Sequence, residues 1–154
     1  MNGQGGKLST EAIYKNLAMI WLVLFMSQFL FLVVVYFVEP GVFEFDFTKP
    51  VIDQNALIIL IFAAVGLLNF ALSFVLKKKF LDQATSEQNV SFVQTAMIVG
   101  CALCESVTLF GVMLAFVAEY QYFFAWFFVG ILGMLFHFPK RDNLIAASFK
   151  KEQM

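Results

Sequence analysis

The sequence predicts an all-α polytopic membrane protein, a single domain of four transmembrane helices in a bundle with both termini in the cytoplasm. Three observations carry this reading. Of 154 residues, 61% are hydrophobic and 14% charged, and mean hydropathy is +0.83, more apolar material than a water-soluble domain of this size can hide in a core. The apolar residues gather into four runs, about 16–38, 55–76, 92–118 and 122–138, close to the roughly 20 residues that a helix needs to cross a bilayer. Nine of the ten Lys and Arg residues flank these runs on one side, which the positive-inside rule makes the cytoplasmic side.

The first run follows Lys7 and Lys15. It is about twice as long as the apolar core of a signal peptide, and "VEPGVFEFDF" after it has no small-x-small cleavage pattern, so it reads as a retained anchor. The loop after it, about 39–54, holds Glu39, Glu44, Asp46 and Asp53 and the one basic residue on that side, Lys49. Its alternation "VFEFDF", bounded by Pro40-Gly41 and Pro50, suggests a short strand or an interfacial hairpin.

The second run ends at Lys77, Lys78 and Lys79, and the polar segment "KKKFLDQATSEQNVS" (77–91) reads as the cytoplasmic loop. Within it, Asp82 to Glu87 are expected to cap or begin the third helix. The fourth run is the shortest. Tyr120 and Tyr122 precede it, and Phe138, Lys140 and Arg141 follow, as membrane interfaces favour.

Internal similarity is faint. "LAMIWLVLFMS" (17–27) lies against "TAMIVGCALCE" (95–105), and "VGLLNFALSF" (65–74) against "VGILGMLFHF" (129–138). If these segments are repeats, Ser27 takes the place of Glu105.

Glu105 is the residue that most needs a reason, because it falls at the midpoint of the third run. An ionised carboxylate there costs roughly 2.5–3.5 kcal/mol on insertion scales, so desolvation favours the neutral acid. An acid that ionises when a cation or polar path reaches it suits proton or sodium binding. Cys101, Thr108 and Val112 share its helical face and Ser106 stands beside it. Ser27 and Gln28 on the first run, and Asn69 with Ser73 on the second, fall near the same depth. Together they form a candidate polar layer, with Glu105, Ser106, Asn69 and Thr108 as candidate ion-binding residues. The alternative is hydrogen-bond glue between helices, about 0.6 kcal/mol per contact. Glu105 is expected to turn toward the bundle or a partner helix.

Small residues mark close helix contacts. Ala96, Gly100 and Cys104 form one series on the third run, Gly111 and Ala115 another; Gly130 and Gly133 lie on the fourth, and Ala63, Ala64, Gly66, Ala71 and Ser73 on the second. Close packing of the second and third helices follows. Cys101 and Cys104 form a CxxC inside an apolar helix with no second cysteine pair, so they read as structural rather than redox or zinc residues. His137, the one histidine, reads as interfacial or capping. No phosphate-binding loop, nucleophile–base pair, metal site or cofactor motif stands out, so no cofactor and no enzymatic activity are expected. A net charge of −1 gives no reason for nucleic-acid binding.

"GCALCESVTLFGVMLAFV" (100–117) resembles the carboxylate helix of the proteolipid c subunit of rotary ATP synthases. That helix reads approximately A-L-x-E-x-x-x-[IL]-[YF]-G-x-x-x-A, which Ala102, Leu103, Glu105, Leu109, Phe110, Gly111 and Ala115 fit. The resemblance covers about residues 60–118. It implies that the second and third runs form a hairpin closed on the cytoplasmic side, with Glu105 as the ion-carrying carboxylate, Ser106 as the serine of sodium-binding members, and Asn69 near the glutamine of the family's first helix. Val107 and Phe110 replace two hydroxyl ligands, which favours a proton over sodium. The chain departs from the family in lacking the alternating glycine run, in having no Arg or Pro in the loop, and in its additional first and fourth runs.

The expected function is a small c-subunit-like membrane protein that binds or passes a proton through Glu105 as part of an oligomer. One alternative is a non-catalytic accessory or scaffold subunit of a larger membrane complex; another is a small proton-coupled exporter. Expected partners are membrane lipids and either further copies of the chain or other membrane subunits. The expected location is a bacterial inner (cytoplasmic) membrane.

Overall fold

The computed structural model describes residues 3–46, 48–52 and 55–148, with side chains from Thr10 onward. Among these residues the chain is helical and contains no strand. Helix α1 spans Gly3–Val38, α2 Ala56–Glu87, α3 Ser91–Ala118, α4 Phe124–Phe136 and α5 Arg141–Ser148. Three segments are long and apolar enough to cross a membrane: Thr10–Val38, Ala56–Glu87 and Ser91–Ala118. That is the character of an integral membrane protein. A fourth crossing has to combine Gln121–Phe136 with Arg141–Ser148, two helices bent by 44°, because the 13 residues of α4 reach only ~20 Å against a hydrocarbon core of about 30 Å.

Helix α3 is the axis of the bundle. It packs against α1, α2 and α4, whereas α1 and α2 hardly touch each other. Two apolar clusters fix the directions. One joins Leu17, Ala84, Val93, Met134 and Leu144; the other joins Val35, Ala115, Phe123 and Phe127. Helices α1 and α3 are therefore parallel, with α2 and α4 antiparallel to them.

The expected polar loop 77–91 is mostly helix. It contains neither Gly nor Pro, so nothing stops propagation, and α2 runs on to Glu87. Asp82 to Glu87 thus end the second helix and do not begin the third. The chain reverses over Gln88, which adopts a left-handed conformation with φ of 51°, and Asn89, whose Oδ1 accepts the Ser91 N–H at 3.0 Å. The "VFEFDF" segment holds a 3₁₀ turn over Pro40–Phe43 where a strand or hairpin was expected; Phe47 of that segment lies outside the described residues, as do Asp53, Lys150, Lys151 and the side chain of Lys7.

Helix α5 has no counterpart in the sequence expectation. It buries Leu144 and Ala147 against the first cluster. Arg141 fastens it to α1 through an ion pair with Glu11 at 3.1 Å and by lying over the Tyr14 ring, 4.6 Å from its centroid.

Candidate functional site

The polar residues of mid-bundle lie between the two apolar clusters and form three pairs. Ser27 Oγ of α1 lies 2.6 Å from Glu105 Oε1 of α3. Asn69 Nδ2 of α2 donates to Ser106 Oγ of α3 at 2.8 Å, and Ser106 Oγ–H donates to Leu103 O at 2.7 Å. Thr108 Oγ1–H of α3 donates to Gln28 Oε1 of α1. Ser27, Gln28, Asn69, Glu105, Ser106 and Thr108 therefore each bridge two helices, whereas the Ser73 hydroxyl donates to Phe70 O within α2. No hydrogen bond joins Glu105 to Ser106, Asn69 or Thr108 among the described residues, so the four candidate ion ligands do not form one cage.

Depth and direction separate the pairs. Gln28 and Thr108 are fully buried, and Gln28 Nε2 has no partner among the described residues. Glu105 is half-buried and falls among Ile98, Ala102, Leu109, Met113 and Phe116, all exposed. At 3.6 residues per turn these positions share one stripe of α3. Glu105 thus belongs to the open apolar face of α3 between α1 and α2, and does not turn into the bundle. Of the two expected directions, toward the bundle or toward a partner helix, the sequence leaves the choice open, because an apolar helix with one acid looks the same from sequence whichever side is covered.

Ser27 Oγ is also 2.6 Å from Leu24 O. One hydroxyl proton serves only one acceptor. The Ser27 hydroxyl has two acceptors in reach, Glu105 Oε1 and Leu24 O. No cationic side chain lies within 4.0 Å of Glu105 among the described residues. The carboxyl is held by a hydroxyl and not by an ion pair.

All five expected packing glycines stand at helix contacts. A Cβ on Gly66 would come within 2.5 Å of Trp126, and one on Gly111 within 2.6 Å of the same residue. On Gly133 it would meet Cys104 Sγ at 2.5 Å, on Gly100 the His137 ring, and on Gly130 Thr108 Oγ1. Gly130 therefore makes the room in which Thr108 meets Gln28.

Comparison with protein-family models, curated proteins and solved structures finds no match.

His137 is the C-cap of α4 and is buried. Its Nδ1 lies 2.7 Å from Gly133 O, and its Nε2 lies 3.3 Å from Ser73 O on α2. The other carbonyls at that end of α4 also find donors. Trp21 Nε1–H of α1 donates to Met134 O at 2.8 Å, and Lys77 Nζ of α2 donates to Phe136 O at 2.7 Å. Side chains from two other helices thus satisfy a helix end that would otherwise be costly in an apolar medium. Cys101 and Cys104 are both free and buried, with Cys104 Sγ 3.7 Å from Ser73 Oγ. Among the described residues no three His, Cys, Asp or Glu side chains are grouped to hold a metal.

Sequence reasoning passed over Gln121. It is buried, and its amide brackets the backbone of Asp46: Asp46 N–H donates to Gln121 Oε1 at 3.0 Å, and Gln121 Nε2 donates to Asp46 O at 2.8 Å. Tyr122 Oη donates to Lys49 O at 2.9 Å. These contacts tie the loop after α1 to the start of α4. A lone Gln between two aromatic residues gives no local hint of a partner 75 residues away.

Proposed function

We propose that this protein is a small c-subunit-like membrane subunit that reversibly binds a proton at Glu105 and works as an oligomer. The observation that carries this reading is the setting of Glu105: mid-helix, on an open apolar face, bonded to the Ser27 hydroxyl and without a cationic partner. In this proposal the carboxyl exchanges its proton when a polar path or a cation reaches it. The α2–α3 hairpin supports the same reading, since Asn69 meets Ser106 one residue from the acid. In this proposal the chain crosses the membrane four times in a bacterial inner membrane, with both termini cytoplasmic. Supporting that orientation, Lys77, Lys140 and Arg141 gather at one end of the bundle.

The test is labelling with a hydrophobic carbodiimide, which modifies protonated carboxyls reachable from lipid, followed by mass-spectrometric mapping. Selective labelling of Glu105 that fades as pH rises is the expected result, and Glu105→Gln abolishes it without loss of membrane insertion. Absence of labelling at every pH would sink the proposal.

One observation favours a second reading, an accessory subunit of a larger complex. The open face of α3 is apolar around Glu105, as a surface covered by a partner helix would be. Stable co-purification with unrelated membrane chains, with Glu105 unlabelled, would select it.

A further inference from the structure

We propose that the basic end of the bundle carries a binding site for a phosphate group, with Lys77, Lys140 and Asn143 as its donors. A recess where α1, α2, α3 and the start of α5 meet is lined by these three residues and His137 together with apolar side chains that include Leu17, Leu81 and Met97. Its free volume is about 10 Å³, room for one water, so the phosphate sits at its mouth with its oxygens between the side chains.

The donors are in place and unspent. Lys77 is half-buried and uses one of its three N–H groups on Phe136 O. Lys140 is exposed, and the Asn143 amide has no hydrogen-bond partner among the described residues. The ion pair at this end joins Arg141 to Glu11, and among the described residues no carboxylate lies within 4.0 Å of Lys77 or Lys140. Asp142, the acid nearest in sequence, does not line the recess. The recess also adjoins the first turn of α5, the helix end that carries partial positive charge. Two lysines that line one recess with no carboxylate within 4.0 Å among the described residues, beside an unused amide, match a ligand that offers several anionic acceptor oxygens.

Two sources offer that chemistry, the headgroup of an anionic phospholipid and free phosphate. The test is native mass spectrometry of the full chain in detergent with phosphatidylglycerol, phosphatidylcholine or inorganic phosphate added in turn. Preferential retention of phosphatidylglycerol over phosphatidylcholine assigns the site to lipid, and retention of inorganic phosphate alone assigns it to a soluble ligand. Lys77→Gln and Lys140→Gln are each expected to weaken the retained ligand about fivefold. Lys79→Gln, exposed and outside the recess, leaves it unchanged. Lys140→Gln carries the test if Lys77→Gln disturbs the end of α4. Equal retention of both lipids with no phosphate bound, or an equal loss in Lys79→Gln, overturns the proposal.

Discussion

Ser27 and Glu105 meet across α1 and α3 at 2.6 Å, and Ser27 is equally close to the carbonyl of Leu24. The serine hydroxyl therefore stands between a side-chain acid and a backbone acceptor, and it holds the carboxyl against one edge of an otherwise apolar face.

Ser27→Ala is expected to free that carboxyl. The lost contact, about 0.6 kcal/mol for a hydrogen bond between membrane helices, corresponds to a roughly threefold faster reaction of Glu105 with a hydrophobic carbodiimide at fixed pH. Labelling kinetics of the two proteins side by side provide the check. An unchanged rate would mean that Ser27 does not restrain the acid.

The sequence made the helices and the polar residues legible for plain physical reasons. Apolar runs of bilayer length are unmistakable, and a Glu at the centre of one stands out whatever surrounds it. Glycines at close spacing marked contacts that the structure places against Trp126, His137, Thr108 and Cys104. Three things were hidden. The end of α2 looked like a loop because charge was taken for a turn signal, although no Gly or Pro interrupts it. The outward direction of Glu105 depends on which faces of α3 its neighbours cover, and that is tertiary information. Helix α5 and the Gln121 clamp rest on contacts between residues far apart in the chain, Arg141 with Glu11 and Gln121 with Asp46, for which no local pattern exists.

Gly130→Ala is expected to destabilise the bundle. The added methyl would overlap Thr108 Oγ1, which is locked to buried Gln28, and would lie 3.0 Å from Cys104 O, a backbone atom. Neither neighbour gives way cheaply, and overpacking of this kind costs about 1–3 kcal/mol. Gly41→Ala is the matched control, since its methyl would meet only Glu39 Oε1 at 3.8 Å. Thermal unfolding in detergent should show a lower midpoint for the first variant and the wild-type value for the second. Equal midpoints would contradict the packing described.

Trp21→Phe isolates one hydrogen bond. The indole donates to Met134 O, which keeps a second donor in the His137 N–H at 3.0 Å. Phenylalanine can retain the aromatic contacts with Phe25 and Phe138, now at 4.9 and 5.0 Å between centroids. The expected loss is about 0.6 kcal/mol, and at most about 1.7 kcal/mol, whereas Trp21→Ala should lose about 3–5 kcal/mol. Unfolding free energies in detergent distinguish them, and equal losses would show that the ring contacts contribute little.

Acid should open one arm of the loop after α1 and leave the other closed. Asp46 Oδ1 accepts from Thr48 Oγ1–H at 2.6 Å and from Thr48 N–H at 2.9 Å, and these bonds hold its carboxyl below the ordinary value of 3.8. For a depressed carboxylate, the stabilisation is fully present above the unfolded value and is lost as pH falls through the folded one. The Thr48 turn should therefore be unchanged at about pH 5 and loosen only below 3.8. The Gln121 bonds to the Asp46 backbone are amide bonds and do not titrate. Amide protection factors measured on both sides of that value should fall for Thr48 and hold for Asp46. Asp46→Asn should make the Thr48 protection independent of pH over the same range. Parallel loss at both amides in the wild-type protein would mean that the loop opens as one unit and that the Gln121 clamp does not hold it alone.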